Sequence, residues 1–150
     1  MGDAWKRFTD KVAGFSANFP GRVKQVTKRS PKGIPTFITM SDDGGEITYA
    51  VAWNELPKGA DGARSKEYLK GAVKSLGEAV KSKREIMTRG HPGFQLILEF
   101  EEDGRELEMT SRVYVVNQRL FQVYASCPRG KGDPELFAKF LDSFKFPGES

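Results

Sequence analysis

Short apolar runs, some alternating with polar residues and some continuous, occupy most of the chain and predict a fold rich in β-structure. They place strands at about 14–19, 22–29, 36–40, 46–53, 84–88, 94–100, 107–116 and 119–126. Most of these strands are separated only by tight turns, such as Asp103-Gly104 and Asn117-Gln118, which favours antiparallel pairing. The run at 22–29 is polar and contains lysines, which is typical of an edge strand that avoids pairing with other chains.

Apolar residues at helical spacing predict two main helices. The first covers about residues 64–81, where Gly71 and Gly77 each lower its intrinsic stability by about 1 kcal/mol relative to alanine. Its apolar stripe consists of Tyr68, Leu69, Ala72, Val73, Leu76, Ala79 and Val80. The second begins at Asp133, a residue suited to cap a helix, and has Pro134 in its first turn. Its stripe consists of Leu136, Phe137, Phe140, Leu141 and Phe144.

The N-terminal segment has a similar but shorter pattern. Trp5, Phe8 and Val12 are spaced for one face of a helix, and Asp3 precedes them as an N-cap. We therefore predict a short amphipathic helix here, within an N-terminal extension formed by residues 1–13. No repeat or interdomain linker interrupts the rest, so residues 1–150 are expected to form a single domain.

These elements together predict an α+β domain. The segments 95–100 and 112–116 are apolar on both faces, and a sheet built from such strands needs cover on both sides. The two striped helices can supply that cover. The expected architecture is an α/β/α sandwich, with a central antiparallel sheet of six to eight strands and helices on both faces.

Composition excludes several classes of protein. With 38% hydrophobic and 29% charged residues, the chain is too apolar to be disordered and has no stretch that could span a bilayer as a helix. Charges near the N-terminus break any signal-peptide core. The net charge of +4 combines a basic region at 1–34 with an acidic one at 92–109, a distribution that can steer partners but does not determine the fold.

The candidates for catalysis are few. His91, the single histidine, lies in the segment Gly90-His91-Pro92-Gly93, which has the composition of a turn. The acidic run 99–103 is about 26 Å further along the following strand, too far to orient it as a base. Cys127, the single cysteine, is interpreted as a small apolar residue that ends a strand, and only His91 could activate it as a nucleophile.

The candidates for metal and phosphate binding are similarly weak. The acids at 99–103 flank a hairpin turn and lack the spacing of a calcium loop, so they are interpreted as a solvated edge. The turn at 41–46, with Asp42 and Asp43, is interpreted as a hairpin turn, with weak cation binding as the alternative. The loop 128–134 resembles a phosphate-binding loop only in composition. We expect no catalytic, cofactor-binding or metal-binding residues and no cofactor.

Lysines on the first helix offer a different kind of site. Lys66, Lys70 and Lys74 are four residues apart and are expected on the face opposite the apolar stripe, with Lys81 a further turn along. A solvated outer face is one interpretation; a patch for nucleic acid or anionic lipid is the other. Changing all three to glutamine should alter stability by less than about 1 kcal/mol. Trp53 is expected in the core or at its rim.

The chain resembles the PsbP-like family, and looks most like its bacterial members of uncharacterised role. The resemblance lies in "GFSANFPG" (14–21), "GHPG" (90–93), "RVYVVNQRLFQVYAS" (112–126) and "FAKFLDSFKF" (137–146). It implies an antiparallel sheet between helices. Plant members assist the oxygen-evolving side of photosystem II, and a yeast relative of the same fold binds a nuclear-transport GTPase. No functional residue of the family corresponds to a position in this chain.

The function expected from residues and resemblance together is that of a non-enzymatic accessory or protein-binding domain. The resemblance further implies a location outside the cytoplasm, in the periplasm or as a lipoprotein domain. Two alternatives stay open: a basic-patch binder of nucleic acid or anionic lipid through the helix at 64–81, and a hydrolase whose site is assembled in space. The sequence leaves the partner's identity and the oligomeric state undetermined.

Overall fold

The structure is a computed structural model that describes residues 5–31, 33–42, 45–57 and 64–149. Within these ranges the elements follow a simple order along the chain. They are β1 (Lys6–Thr9), β2 (Ser16–Phe19), β3 (Lys24–Arg29), β4 (Pro35–Asp42), β5 (Thr48–Glu55), α1 (Ser65–Lys74), a short 3-10 helix (Gly77–Ala79), β6 (Val80–Thr88), β7 (His91–Glu102), β8 (Arg105–Val116), β9 (Arg119–Pro128) and α2 (Pro134–Ser143).

A seven-stranded antiparallel sheet forms the centre of the molecule. Its strand order is β3-β4-β5-β9-β8-β7-β6, and β1 and β2 form a separate two-stranded antiparallel sheet. The prediction of an α+β fold around an antiparallel sheet of six to eight strands is confirmed. The edge position predicted for the polar strand at 22–29 is also confirmed, because β3 is one of the two edge strands and β6 is the other.

Two separate apolar clusters meet the sheet at β8. Val113 and Val115 pack in one cluster with Leu69 and Val73 of α1. Tyr114 and Val116 belong to the other, which contains the buried side of α2 and the aromatic residues of β2. Since successive side chains of a strand point to opposite faces, these alternating contacts explain why β8 is apolar at consecutive positions.

The prediction of a helix in the N-terminal segment is wrong. Lys6–Thr9 is a β-strand that pairs with Ser16–Phe19, and Trp5 and Phe8 pack against the main core. Val12, predicted on the same apolar stripe, is 73% exposed. The carboxylate of Asp10 accepts hydrogen bonds from the backbone N–H groups of Val12 and Ala13, which turns the chain between the two strands.

The helix predicted over 64–81 is also too long. Its hydrogen-bonded turns end at Lys74, and Gly77 follows with a φ of +60°, a conformation that ends helices and that glycine adopts without a steric penalty. Val80 and Lys81 therefore belong to β6. By contrast, α2 begins as predicted, because the Asp133 carboxylate accepts a hydrogen bond from the Leu136 N–H at 3.2 Å.

The "GHPG" segment is only partly a turn. Arg89 and Gly90 form the two-residue turn, with φ of 47° and 85°, and His91 already begins β7. The prediction that His91 lies in the turn is therefore wrong, because the turn ends at Gly90 and His91 is the first residue of β7. Pro92 is tolerated within the strand because the ladder to β8 starts only at Gly93, so no bond from the missing N–H is lost there.

In the part of the chain that the structure describes, neither helix has the length and apolar character needed to cross a membrane.

Candidate functional site

A cleft of about 440 Å³ lies between α2 and the strands β7 and β8. We call it the α2 cleft. Its apolar lining comes from Ile97 on β7 and from Phe137, Ala138 and Leu141 on α2. Ile97 is half-buried, so its side chain is reachable from the opening. The cleft thus offers an apolar surface to a molecule that approaches from solvent.

Arg112 of β8 provides the positive charge of the α2 cleft. Its Nε donates to Gln95 Oε1 at 3.0 Å, and one terminal nitrogen donates to Asp142 Oδ1 at 2.8 Å. Its side chain is only 18% exposed, whereas that of Asp142 is 67% exposed. Two acceptors on different elements therefore hold the guanidinium in one orientation. A fixed guanidinium is well suited to bind a carboxylate or a carbonyl oxygen.

Glu108 lies on the same face of β8 as Arg112, at the end of the cleft that is closed by the loop before α2. Glu108 Oε1 accepts a hydrogen bond from the Gly130 N–H at 2.6 Å. A Cβ atom at Gly132 would lie 3.2 Å from Glu108 Oε2 and 3.4 Å from the Phe137 ring, so the absence of a side chain lets this loop approach closely. The loop 128–134, which resembles a phosphate-binding loop only in composition, leads into the capped helix α2 and forms part of the cleft wall.

The acidic segment is partly neutralised by a nearby cation. Arg129 lies 3.2 Å from Glu106 and 3.9 Å from Glu99, so these carboxylates form a local ion-pair network at the sheet surface. Among the described residues, no cluster of three or more metal-ligating side chains occurs. The predicted cation-binding alternative at 41–46 includes positions 43 and 44, which lie outside the described residues.

His91 and Cys127 are not brought together. Cys127 pairs with Glu108 on β8, and Glu108 pairs with Glu99 on β7. Glu99 is eight strand residues from His91, a separation of about 26 Å. The His91 ring instead packs against Phe146, with 4.2 Å between ring centroids. The histidine therefore cannot serve as the base for the cysteine.

Cys127 is also a poor nucleophile in its own right. Burial, followed by the nearby carboxylates of Glu108 and Glu46, raises the pKa of the Cys127 thiol to about 11. The reactive species is the thiolate, which is disfavoured at neutral pH under these conditions. The interpretation of Cys127 as a small apolar residue at the end of a strand is confirmed, because it is buried and β9 ends one residue later, at Pro128.

The structure contradicts the prediction for the helix lysines and confirms the one for Trp53. Lys66, Lys70 and Lys74 do not lie opposite the buried stripe as predicted. They flank it on the side that faces β6, where they line two clefts. Trp53 is in the core as predicted, stacked on Phe37 with 4.5 Å between ring centroids.

Sequence reasoning missed Arg112 and Glu108 as members of a site. They are four positions apart on one strand, so they share a face, but the helix and loop that complete the α2 cleft come from positions 129–141. The available signal was two charged residues, Glu108 and Arg112, on the same face of a strand whose second half is mostly buried. It could be recognised as a site only once the position of α2 above β7 and β8 was known.

Comparison with known proteins supports the fold. No protein-family model matches the chain, and no curated protein matches it. The chain is similar to the solution structure of cyanobacterial PsbP (CyanoP) from Synechocystis sp. PCC 6803, with 14% identity, a TM-score of 0.59, and coverage of 96% of this chain and 93% of that one. It is also similar to a crystal structure from Bacteroides thetaiotaomicron, with 15% identity and a TM-score of 0.61, covering 99% of this chain and 50% of that one.

At these identities the likeness shows the fold alone. The chain therefore has a PsbP-like fold, which confirms the resemblance drawn from its sequence motifs.

Proposed function

We propose that this chain is a non-enzymatic accessory domain that binds a protein partner through the α2 cleft. The observation that carries the proposal is the fixed guanidinium of Arg112 beside the apolar surface of Ile97, Phe137 and Leu141. Protein interfaces concentrate their binding energy in such places, where an apolar side chain enters a cleft and a neighbouring polar group is already oriented.

The partner we expect inserts an apolar side chain and presents a carboxylate or carbonyl oxygen to Arg112. One terminal nitrogen of Arg112 has no hydrogen-bond partner among the described residues, which leaves donors for that oxygen. The capped N-terminus of α2 and the ion pairs of Arg129 hold the rim of the cleft in place. Little reorganisation is then needed on binding, which favours affinity.

The proposal includes the layered architecture expected from the sequence. We infer an α/β/α sandwich, in which α1 covers the β7–β8 part of one sheet face and α2, together with β1 and β2, covers the other. The alternating contacts of Val113 and Tyr114 support this arrangement. In this arrangement each helix forms clefts against the sheet, and the α2 cleft is the one formed by the second helix.

A matched pair of variants tests the binding proposal. Ile97→Arg puts a long cation into the α2 cleft, and Ile34→Arg makes the same exchange at a site that is already 47% exposed. Wild type, the two isoleucine variants and Arg112→Ala are immobilised and offered an extract of the source organism, and captured proteins are quantified by mass spectrometry. We expect a partner that is captured by wild type and by Ile34→Arg. The captured amount should fall about tenfold or more with Ile97→Arg and with Arg112→Ala.

Confirmation requires the same ranking with the purified partner in a direct binding measurement. If every captured protein binds all four forms equally, the α2 cleft is not a protein-binding site. If a small molecule copurifies in the cleft instead, the partner hypothesis is also wrong.

The non-enzymatic part of the proposal has its own test. The hydrolase alternative predicts turnover in a broad screen of ester, phosphate and peptide substrates. We expect none above background. Reproducible turnover that is abolished by His91→Ala or by Glu108→Gln would contradict the proposal and identify the residue involved.

We propose in addition that the domain acts outside the cytoplasm, as its resemblance to bacterial PsbP-like domains implies. Fractionation of source cells, with detection by antibody, measures this directly. Recovery in the periplasmic or membrane-anchored fraction supports the proposal, and so does a signal peptide or lipobox cysteine encoded upstream. Recovery with cytoplasmic marker enzymes would show that the location is wrong.

A further inference from the structure

A second concave surface lies between α1 and the edge strand β6. It consists of two adjoining clefts of about 760 and 260 Å³, which share Lys70, Glu85 and Phe94. We call it the α1–β6 groove. Its apolar lining includes Leu69 and Val73 together with Phe94. The groove shares no lining residue with the α2 cleft, so each surface can be altered by mutation without changing the other.

The rim of the α1–β6 groove is strongly basic. Lys66, Lys70 and Lys74 line it from α1 and Lys83 lines it from β6, against the single acid Glu85. In the described part of the chain none of these four lysines forms a salt bridge, whereas the neighbouring Glu67 is paired with Arg64. Four unneutralised cations around an apolar cleft favour an anionic partner with some apolar character.

The outer side of β6 is a hydrogen-bonding surface. In the described sheet β6 pairs only with β7, and the pair Thr88↔His91 closes a two-residue turn. In such a hairpin the closing pair is hydrogen-bonded and the bonding alternates along the strand. The backbone N–H and C=O groups of Lys83, Glu85 and Met87 are therefore directed away from β7. The side chains of these same residues line the α1–β6 groove.

The spacing of the lysines matches an extended peptide. Four residues of helix rise about 6 Å, so Lys66, Lys70 and Lys74 follow one another at that interval along α1. Alternate residues of a β-strand, which share one face, are about 6.7 Å apart. The groove residues show that the two elements run side by side, with Lys66 near Met87 and Lys74 near Lys83. A strand placed along β6 would therefore present one residue of a given face to each lysine in turn.

We propose that the α1–β6 groove binds an extended acidic protein segment, which adds to the sheet as a strand along β6 and directs alternate carboxylates at Lys66, Lys70, Lys74 and Lys83. Main-chain hydrogen bonds supply affinity and the alternating side chains supply specificity, as in other cases of strand addition. Met87, 67% exposed at one end of the groove, provides an apolar contact. A phosphate polymer or a lipid surface would make no use of the free backbone groups of β6, whereas an extended peptide would bond to them; the repulsion by Glu85 applies to all three ligands alike.

Lysines near an edge strand also prevent it from pairing with other chains. The experiment therefore asks whether these lysines attract an acidic peptide or only keep other strands away from β6. The probe is a short fluorescent peptide in which glutamate alternates with threonine, titrated with the protein at low salt. We expect saturable binding that weakens as salt is added. The Lys66→Gln, Lys70→Gln, Lys74→Gln triple variant should bind about tenfold or more weakly, since three exposed charge pairs are lost together.

Lys11, Lys24 and Lys28 provide the matched control. All three are exposed and lie outside the groove, and their change to glutamine removes the same amount of charge. This control variant should bind like wild type. On binding, hydrogen exchange at the amides of Lys83, Glu85 and Met87 should slow, because these groups become paired with the added strand.

A second peptide distinguishes strand addition from charge alone. Every backbone amide nitrogen in it is methylated, which keeps the carboxylates but removes the backbone donors on both sides of the peptide, including those of the glutamates that would bond to β6. We expect it to lose binding. Equal binding of this peptide, or equal weakening by the control variant, would overturn the proposal. So would a complete lack of binding by the alternating peptide.

Heparin, single-stranded nucleic acid and anionic vesicles complete the test. If any of them binds more tightly than the peptide and is lost in the groove variant, the basic patch serves phosphate or sulfate groups and the peptide proposal is wrong. Ile97→Arg should leave peptide binding unchanged, so failure at the α1–β6 groove and failure at the α2 cleft are recognised separately.

Discussion

Gly93 shows how one absent side chain permits the contact between β7 and β8. A Cβ atom at this position would lie 2.5 Å from the Val113 carbonyl oxygen and 2.6 Å from the Tyr114 ring. Tyr114 is fully packed and its hydroxyl is 2.9 Å from Thr88 Oγ1, so the ring cannot move away without losing that hydrogen bond. The sequence suggested that this glycine serves a turn, but the close approach of the neighbouring strand is what requires it.

We therefore expect Gly93→Ala to lower the free energy of unfolding by about 1 to 3 kcal/mol, the usual cost of forcing atoms into a packed interior. Gly71→Ala is the control. Gly71 lies within α1 and a Cβ there would meet nothing within 4 Å, so this change should stabilise the protein by about 1 kcal/mol. Urea denaturation measures both values. Equal effects of the two substitutions would contradict the packing argument.

The thiol of Cys127 makes a pH-dependent contribution to the free energy of unfolding. Because burial raises its pKa from 9.0 to about 11, the native state holds the proton over a range in which the unfolded state has released it. The resulting stability is fully present below pH 9 and is lost as the pH rises towards 11. The linkage relation converts the shift into a loss of about 2 to 3 kcal/mol across that range.

The corresponding experiment compares wild type with Cys127→Ala by urea denaturation at several values between about pH 8 and pH 11. Alanine does not titrate, so the difference in unfolding free energy between the two proteins should diminish above pH 9. Other titrating groups are common to both proteins and cancel in that difference. A constant difference would show that the thiol does not titrate with the raised pKa.

At the scale of elements, two hairpin turns reach the same backbone conformation for different reasons. Arg89 and Gln118 both have positive φ, 47° and 63°, which is unfavourable for residues other than glycine. Arg89 has a compensating role, because its guanidinium donates to Glu149 at 2.8 Å and to the Phe144 carbonyl at 2.6 Å and so ties the C-terminal segment to the β6–β7 turn. Gln118 has no comparable side-chain bond to the residues that the structure describes, and its backbone carbonyl accepts a hydrogen bond from the Leu56 N–H at 2.8 Å.

Replacement by glycine should therefore have opposite effects at the two turns. Gln118→Gly relieves strain and should raise the free energy of unfolding by about 0.5 to 1 kcal/mol, after the entropy cost of glycine is subtracted. Arg89→Gly relieves similar strain but removes two charge-assisted hydrogen bonds, and should lower it by about 1 to 2 kcal/mol. Thermal and urea denaturation check both signs. The same sign in both turns would contradict the assigned role of Arg89.

The contribution of Arg89 should also depend on pH. Its hydrogen bond to Glu149 lowers the pKa of that carboxyl, so the stabilisation is present above the ordinary pKa of glutamate and is lost as the pH falls through the lower, native-state value. The difference between wild type and Arg89→Gly should therefore shrink in acid.

Most strands and turns were predictable because their signals are local. Alternating apolar residues specify a strand, and the pair Asp103-Gly104 specifies a turn, within a few positions of the sequence. The strands and this turn occur where they were predicted. The N-terminal strand was missed because Lys6–Thr9 is too short to show alternation, and its pairing with β2 is not evident from either segment alone. Helical spacing of Trp5 and Phe8 was the stronger local signal, and tertiary contacts overrode it.

At the scale of the whole molecule, both grooves exist only because helices lie against the sheet. Each joins residues from segments far apart in the chain: Arg112 bonds to Asp142 in one, and Lys70 and Phe94 line the other. The sequence revealed the charged residues but could not show which element each of them faces. The lysines were therefore recognised as a candidate patch while their position beside an edge strand was missed. The α2 cleft was missed entirely.

The two sheets should behave as one folding unit. Trp5 lies directly before β1 of the small sheet, and its ring is 5.1 Å from that of Tyr49 on β5 and 4.9 Å from Lys139 Nζ on α2. The large sheet carries Trp53, stacked on Phe37 and 5.0 Å from the Arg119 guanidinium. The aromatic cluster that contains Tyr49 and Trp53 is continuous with the one around β2, so neither sheet can unfold without exposing the core of the other.

Two single-tryptophan variants test this cooperativity. In Trp53→Phe the fluorescence reports on the small sheet, and in Trp5→Phe it reports on the large one. We expect each variant to show a fluorescence midpoint in urea that coincides with its own circular-dichroism midpoint, as a two-state domain requires. The N-terminal segment would then be an integral part of the domain and not an extension of it. If the Trp5 signal in Trp53→Phe changes at clearly lower urea than the circular dichroism, β1 and β2 unfold separately and the single-unit description is wrong.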